Sequence, residues 1–260
     1  MTVLQARGIN VSFGAMPAVT GVGFEAGPGT LLGLIGPNGA GKTSLLRALA
    51  GLVPFAGTVT LDGGPIAGIG RRSLARTVAY LAQGEPVHWP FTVRELVALG
   101  RLPHRPPFQG PSPADREAVA EALALADVEA LSDRRVDTLS GGERARALLA
   151  RALAVKAPVL LVDEPIAALD PYHQMHIMEV LRAYAEAGAL VVAVLHDLTL
   201  AERFCHRLLL LRGGRLLADG PPHEVLVDDN VRAAYHVAVI HHVHDGERIT
   251  LPWRRVDPAS

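Results

Sequence analysis

Cysteine is almost missing from this 260-residue chain, and Cys205 is the only one. No disulfide can form within one copy, which excludes a small secreted fold stapled by bridges and fits a reducing compartment. Cys205 itself reads as a small apolar residue. Lysine is scarce as well: Lys42 and Lys156 are the only two in a cationic complement otherwise made of arginine. No excess of either charge is present, the formal net charge being −1. Nothing therefore announces a nucleic-acid partner, and none is expected. Long apolar runs are also lacking. Ala189–Leu195 is far shorter than the roughly 20 residues that cross a bilayer as a helix. The longer uncharged stretch from Ala26 to Gly41 is broken by Pro28, Pro37 and several glycines. Met1–Asn10 has no apolar signal-peptide core, so the chain is expected to stay in the cytoplasm, with any membrane attachment supplied by a partner.

What is present is an α/β rhythm. Apolar residues make up 49% and charged residues 20%, which suits a globular domain and excludes disorder. Val3–Phe13 reads as an edge strand, and Thr30–Ile35 as a short strand before a glycine loop and a helix over Lys42–Ala50. Thr58–Leu61 and Val78–Ala82 read as strands, the second ending at Gln83. From Gly84 to Leu139 the pattern changes. Helical periodicity at Val93–Leu99 and Asp115–Ala126 flanks a connection holding Pro103, Pro106, Pro107, Pro111 and Pro113, as in a helical lobe inserted into an α/β core. The alternation then resumes with helices at Ser140–Val155, Tyr172–Ala187 and Thr199–His206, and strands at Val159–Val162 and Leu190–Leu195. Hairpins are expected across Gly213-Gly214 and across Asp245-Gly246, the second joining Val237–His244 to Glu247–Pro252. Such alternation implies a mainly parallel sheet covered on both faces.

Gly36-Pro37-Asn38-Gly39-Ala40-Gly41-Lys42-Thr43 fits the phosphate-binding pattern G-x-x-x-x-G-K-[ST], lying between strand and helix as its mechanism requires. Glycines let several backbone N–H groups converge on one phosphate, and the helix that follows points its positive end at the same anion. Lys42 suits the β and γ phosphates as a compact point charge, and the Thr43 hydroxyl suits Mg²⁺. Val159–Asp163-Glu164 reads as the partner strand, delivering two carboxylates at its end: Asp163 for the Mg²⁺ shell, Glu164 to polarise an attacking water. Ser140-Gly141-Gly142-Glu143 has the spacing of a capping box. A capped start does not require two glycines, which weaken the first turn. They suit a backbone lying flush against another object, with bare N–H groups forming a second anion site on the same chain.

A phosphate loop, then LSGGE, then LLVDEP-x-x-x-LD, then a strand ending in histidine is an order that resembles the ATPase subunits of ABC transporters, from about Val3 to Val227. The resemblance implies a P-loop NTPase (RecA-like) α/β core with an antiparallel β subdomain and an inserted α-helical subdomain. It implies an ATPase domain over 1–236, its helical part at about 84–155, followed by a C-terminal β-hairpin extension over 237–260. It implies ATP held by Phe13, which stacks on adenine, and by the loop through Ser44. By the same resemblance Gln83 senses Mg²⁺, His196 meets the γ-phosphate, and Asp170 lies at a dimer contact. Ser140 to Glu143 of one copy would cover the nucleotide held by the loop of the other, in a homodimer. Arg144 and Ala145 replace the usual paired glutamines after LSGGE, and Ile166 and Ala167 replace the commoner Thr-Ser after Glu-Pro.

The stretch Trp89–His104, with Leu169–Gln174 and Leu195–Leu200, resembles the importer subfamily for iron-siderophore, haem and cobalamin. That implies two permease subunits, a periplasmic binding protein and a place at the cytoplasmic face of the inner membrane. Among cargoes a ferric siderophore is put first, from frequency of use and not from any residue. The best alternative is another ABC transporter, an exporter included. A DNA-organising relative would carry a long coiled coil, and a translation-associated one a second phosphate loop. His236, His241, His242 and His244, like His173 and His176, lack the cysteine or carboxylate cluster that would complete a metal site.

Overall fold

The computed structural model describes residues 2–84, 90–167 and 169–256. Trp89, Ala168 and residues 257–260, all named above, lie outside them. The chain begins with β1 (Leu4–Phe13) and β2 (Met16–Ala26), enters β3 (Thr30–Ile35) and α1 (Lys42–Leu49), then returns as β4 (Ala56–Leu61) and the short β5 (Gly64–Pro65). These strands, β3 excepted, form an antiparallel sheet in the order β2-β1-β4-β5. The expected edge position of β1 is thus corrected, because β1 has a neighbour on each side. The hidden neighbour is β2, whose glycines and polar residues mask a true period of two: Val22, Phe24 and Ala26 are buried while Gly21, Gly23 and Glu25 are exposed.

α2 (Arg71–Thr77) leads into β6 (Val78–Leu81), and three helices follow before the next strand: α3 (Val93–Ala98), α4 (Pro113–Leu125) and α5 (Gly141–Ala154). Each starts on a complete capping box, Thr92 with Glu95, Ser112 with Asp115, and Ser140 with Glu143. Such a cap contributes about 1 kcal/mol. The Pro-rich connection is pinned by Arg101, itself buried, which donates to Asp115 Oδ1 at 2.9 Å and to the Ala154 carbonyl at 2.8 Å.

β7 (Val159–Asp163), α6 (Pro171–Glu186), β8 (Leu190–Val194), α7 (Leu198–Phe204), β9 (Arg207–Arg212) and β10 (Arg215–Gly220) complete the second sheet, ordered β10-β9-β3-β8-β7-β6. All its pairings are parallel except β9 with β10. Every residue of β7 and β8 is buried, as a central parallel strand covered on both faces demands. Each Val or Leu so placed contributes about 1.5–3 kcal/mol. α8 (Pro222–Val225) and α9 (Asp228–Tyr235) lead to the hairpin of β11 (Val237–His244) and β12 (Glu247–Arg255). Its two-residue turn has positive φ at both Asp245 and Gly246, the primed geometry that matches strand twist. Among the described residues, no helix is long and apolar enough to cross a membrane.

Candidate functional site

Four adjacent parallel strands, β3, β8, β7 and β6, end at one edge of the sheet, and every catalytic candidate follows one of them. The glycine loop and α1 follow β3, Asp163 and Glu164 close β7, His196 lies just beyond β8, and Gln83 just beyond β6. Sequence positions 42, 83, 164 and 196 thus become neighbours because carboxyl ends of parallel strands share an edge. The loop is set by its surroundings. A Cβ on Gly36 (φ 147) would stand 2.3 Å from the Leu211 carbonyl, and one on Gly41 (φ 95) 2.3 Å from that of Ala18. The turn between β9 and β10 braces it further, as Gly214 N donates to the Ala40 carbonyl at 3.2 Å. Sequence reasoning missed these supports, since backbone carbonyls from distant strands leave no residue-type signal. A hollow of about 290 Å³ lies over the loop, lined by Phe13, Asn38, Lys42, Thr43, Ser44 and Glu164 among others. Phe13 is 53% exposed, so a ring face is open to stacking.

Inside this hollow α1 starts without help. Its cap is Gly41, no side chain bonds its first N–H groups, and its first turn holds no acid. Lys42, only 6% exposed, donates to the carbonyls of Gly36 at 2.7 Å and Pro37 at 3.0 Å. Burial lowers the Lys42 pKa, against the raising influence of Glu164 and Asp163. Burial likewise raises that of Asp163, which the Thr43 bond opposes. Glu164 stands in the left-handed region at φ 52, unusual for a residue with a side chain and costing about 1–3 kcal/mol. Its carboxylate is held from two sides: Gln83 Nε2 donates to Oε2 at 2.5 Å, and His196 Nε2 lies 2.6 Å from Oε1.

The oxygen donors of Thr43, in the hollow, and of Asp163, beside it, fit a divalent cation. Thr43 Oγ1 donates to Asp163 Oδ1 at 3.0 Å, while Asp163 Oδ2 is buried with no hydrogen-bond partner. A hard cation such as Mg²⁺, which takes one or two carboxylate oxygens and completes its shell with phosphate and water, matches that donor set. The Gln83 amide faces Glu164 here.

The start of α5 corrects one expectation: its N–H groups are not all bare. Ser140 N donates to Glu143 Oε2 at 2.8 Å, and Glu143 N donates to Ser140 Oγ at 3.2 Å. The bond from the Ser140 amide lowers the Glu143 pKa, fixing a negative charge in the first turn. The Gly141 and Gly142 amides remain outside the box. Ser140 and Glu143 lie outside the lining of the loop's hollow, whereas Gly141 joins Arg144, Gln83, Asp163 and Glu164 around a neighbouring cavity of about 440 Å³. Arg144, noted above only as a departure from pattern, therefore borders the Glu164 carboxylate's surroundings. Asp170 serves its own helix, accepting from His173 N at 3.0 Å as the cap of α6.

Comparison with known proteins agrees with this geometry. The family profile described as ABC transporter matches residues 19–167. The chain is 44% identical to the hemin import ATP-binding protein of Streptomyces coelicolor, over 96% of this chain and 89% of that protein. It is 42% identical to the cobalamin import ATP-binding protein of Halobacterium salinarum strain R1, over 91% of this chain and 59% of that protein. In structure it is similar to a metal-chelate type ABC transporter in an inward-facing conformation, with a TM-score of 0.83 over 98% of both chains at 23% identity, a likeness of fold.

Proposed function

We propose, on the premise that this chain belongs to the ABC transporter family, that it is the ATP-hydrolysing subunit of an importer of metal chelates. The observation that carries this is the convergence of Lys42, Thr43, Asp163, Glu164, His196 and Gln83 on one sheet edge, with Glu164 gripped by Gln83 and His196. The glycine loop and α1 bind the phosphates through backbone N–H groups, Phe13 stacks on the base, and Lys42 turns from the Gly36 and Pro37 carbonyls to the β and γ phosphates. Thr43, Asp163 and Gln83 would hold Mg²⁺, which supplies charge neutralisation at the phosphate oxygens when bound. Glu164 orients and deprotonates the attacking water, and His196 donates to the γ-phosphate.

The chain offers a complete phosphate cradle and, at Ser140-Gly141-Gly142-Glu143, a second helix start that serves a copy facing it. Two copies related by a two-fold axis would hold two nucleotides, with Asp170 near the contact. Residues 1–236 form the ATPase domain, with a helical part at about 84–155, and 237–260 an extension. Two permease subunits carry the pore and a periplasmic protein delivers the cargo, which places this subunit at the cytoplasmic face of the inner membrane. The relatives' names favour haem and cobalamin as cargo, while the ferric siderophore put first above rests on frequency of use alone. Proteoliposomes holding the chain and its genomically adjacent permease test this: ATP-driven uptake of haemin, cobalamin or a ferric siderophore, lost with Lys42→Ala, is the expected result. Outward transport, or uptake indifferent to Lys42, would refute it.

A further inference from the structure

The C-terminal hairpin is joined to the site by α7. His196 and Asp197 connect β8 to this helix, and Asp197 caps it by accepting from Leu200 N at 2.9 Å. The backbone at His196 is therefore fixed by where α7 sits. α7 has two faces. Leu198, Ala201 and Phe204 are buried in the main core. Thr199, Glu202 and Arg203 have i, i+3, i+4 spacing and so form one stripe on the other side.

All three stripe residues are taken by β12. Thr199 Oγ1 donates to the Thr250 carbonyl at 2.9 Å, and Arg203 Nε donates to Glu247 Oε2 at 2.6 Å. The Glu202 side chain is only 3% exposed, and its Oε1 lies 3.1 Å from Arg248 Nε. A carboxylate so buried needs its counter-charge, and the Arg248 guanidinium supplies it as an ion pair without a hydrogen bond, both Glu202 oxygens and Arg248 Nε having no hydrogen-bond partner. Thr250 is wholly buried, and its hydroxyl meets His241 Nδ1 across the hairpin at 2.8 Å. At its base the hairpin is tied down in turn, with Val256 N donating to the His236 carbonyl at 2.9 Å and Val239 N to Asp228 Oδ1 at 3.3 Å.

We propose that the hairpin is a positioning element for ATP hydrolysis: it clamps the outer stripe of α7 and so holds His196 against Glu164. Thr199, Glu202 and Arg203 are positioning residues that touch no reacting atom, and Arg248 and Thr250 are their counterparts. The proposal rests on the role given to His196 above. The sensitivity is steep, because a misplacement of about 1 Å can cost about 100-fold in rate.

Steady-state hydrolysis by the full chain tests it with Thr199→Val, Arg248→Ala and Thr199→Ser. Thr199→Val is nearly isosteric and removes one bond, so it remains informative if Arg248→Ala folds poorly. In both, kcat falls about fivefold to tenfold, while KM for ATP stays within about twofold. Thr199→Ser, which keeps the hydroxyl, restores the wild-type kcat. Trp253→Ala, at a site 70% exposed on the hairpin, changes neither constant. An unchanged kcat in Thr199→Val, or kcat and KM shifting together without rescue by serine, overturns the clamp. Wild-type hydrolysis that survives Lys42→Ala would instead bring down the underlying reading of the site, and the clamp with it.

Discussion

The charged groups of this chain are held in two opposite ways. Along α3, α4 and α5 the carboxylates of Glu95, Asp115 and Glu143 each close a capping box and have lowered pKa values. At the sheet edge Asp163 is raised and Lys42 lowered by burial, an Asp163 oxygen has no partner, and Glu164 sits in a strained backbone conformation. The capping carboxylates of the helical segment are satisfied within their own first turns, although the buried Nε atoms of Arg105, Arg144 and Arg146 in that segment have no hydrogen-bond partner. The sheet edge leaves one carboxylate oxygen, Asp163 Oδ2, without the partner a cation can provide, and places the strained Glu164 beside it, where such strain accompanies chemistry.

Substitutions should therefore act on function at the edge and on stability in the helices. The largest effect is expected from Glu164→Gln, which keeps the hydrogen-bonding shape but removes the proposed base. Hydrolysis should fall about 10²–10⁴-fold with ATP affinity retained, measured by phosphate release and nucleotide binding. Lys42→Ala removes a charged bond worth about 1.5–3 kcal/mol and should weaken ATP binding about 10- to 100-fold, checked by titration with a fluorescent nucleotide. In the helical segment Thr92→Ala should cost about 1 kcal/mol and lower Tm by about 2–4 °C, with unchanged turnover per folded molecule. A loss of turnover there would blur the contrast.

The smallest effect is one of pH. Burial pushes the Asp115 carboxyl up, but the bonds from Arg101 and from the Ser112 amide and hydroxyl prevail and hold it at about 2, below its ordinary 3.8. A lowered folded pKa adds stability that is present above 3.8 and lost as pH falls towards about 2. Urea midpoints should decline through that window, and Asp115→Asn should flatten the decline.

Much of the site was legible because its residues are adjacent in sequence or follow strands with strong apolar runs. Lys42 stood out as a lysine in a glycine loop, and Asp163-Glu164 as the first polar pair after a buried strand. The contacts of Gln83 and His196 with the same carboxylate were not legible, because they depend on the order in which strands pair. β2 escaped notice because its glycines interrupt the apolar alternation. The capping box at Ser140 was readable from spacing, but its consequence for the free N–H groups was not, since that required knowing that both of its bonds form. The hairpin was visible as a turn signal, while its grip on α7 depends on tertiary packing.

The helix start at Ser140 has its box closed, unlike that of α1, and under the proposed function its part is to complete the site of a facing copy. Mixing two inactive chains, Ser140→Arg and Lys42→Ala, tests this directly. With the site shared between copies, each mixed dimer contains one intact pairing, and equal mixing should restore about a quarter of wild-type hydrolysis. No recovery, from chains that each fold and exchange partners, would mean that each copy completes its site alone.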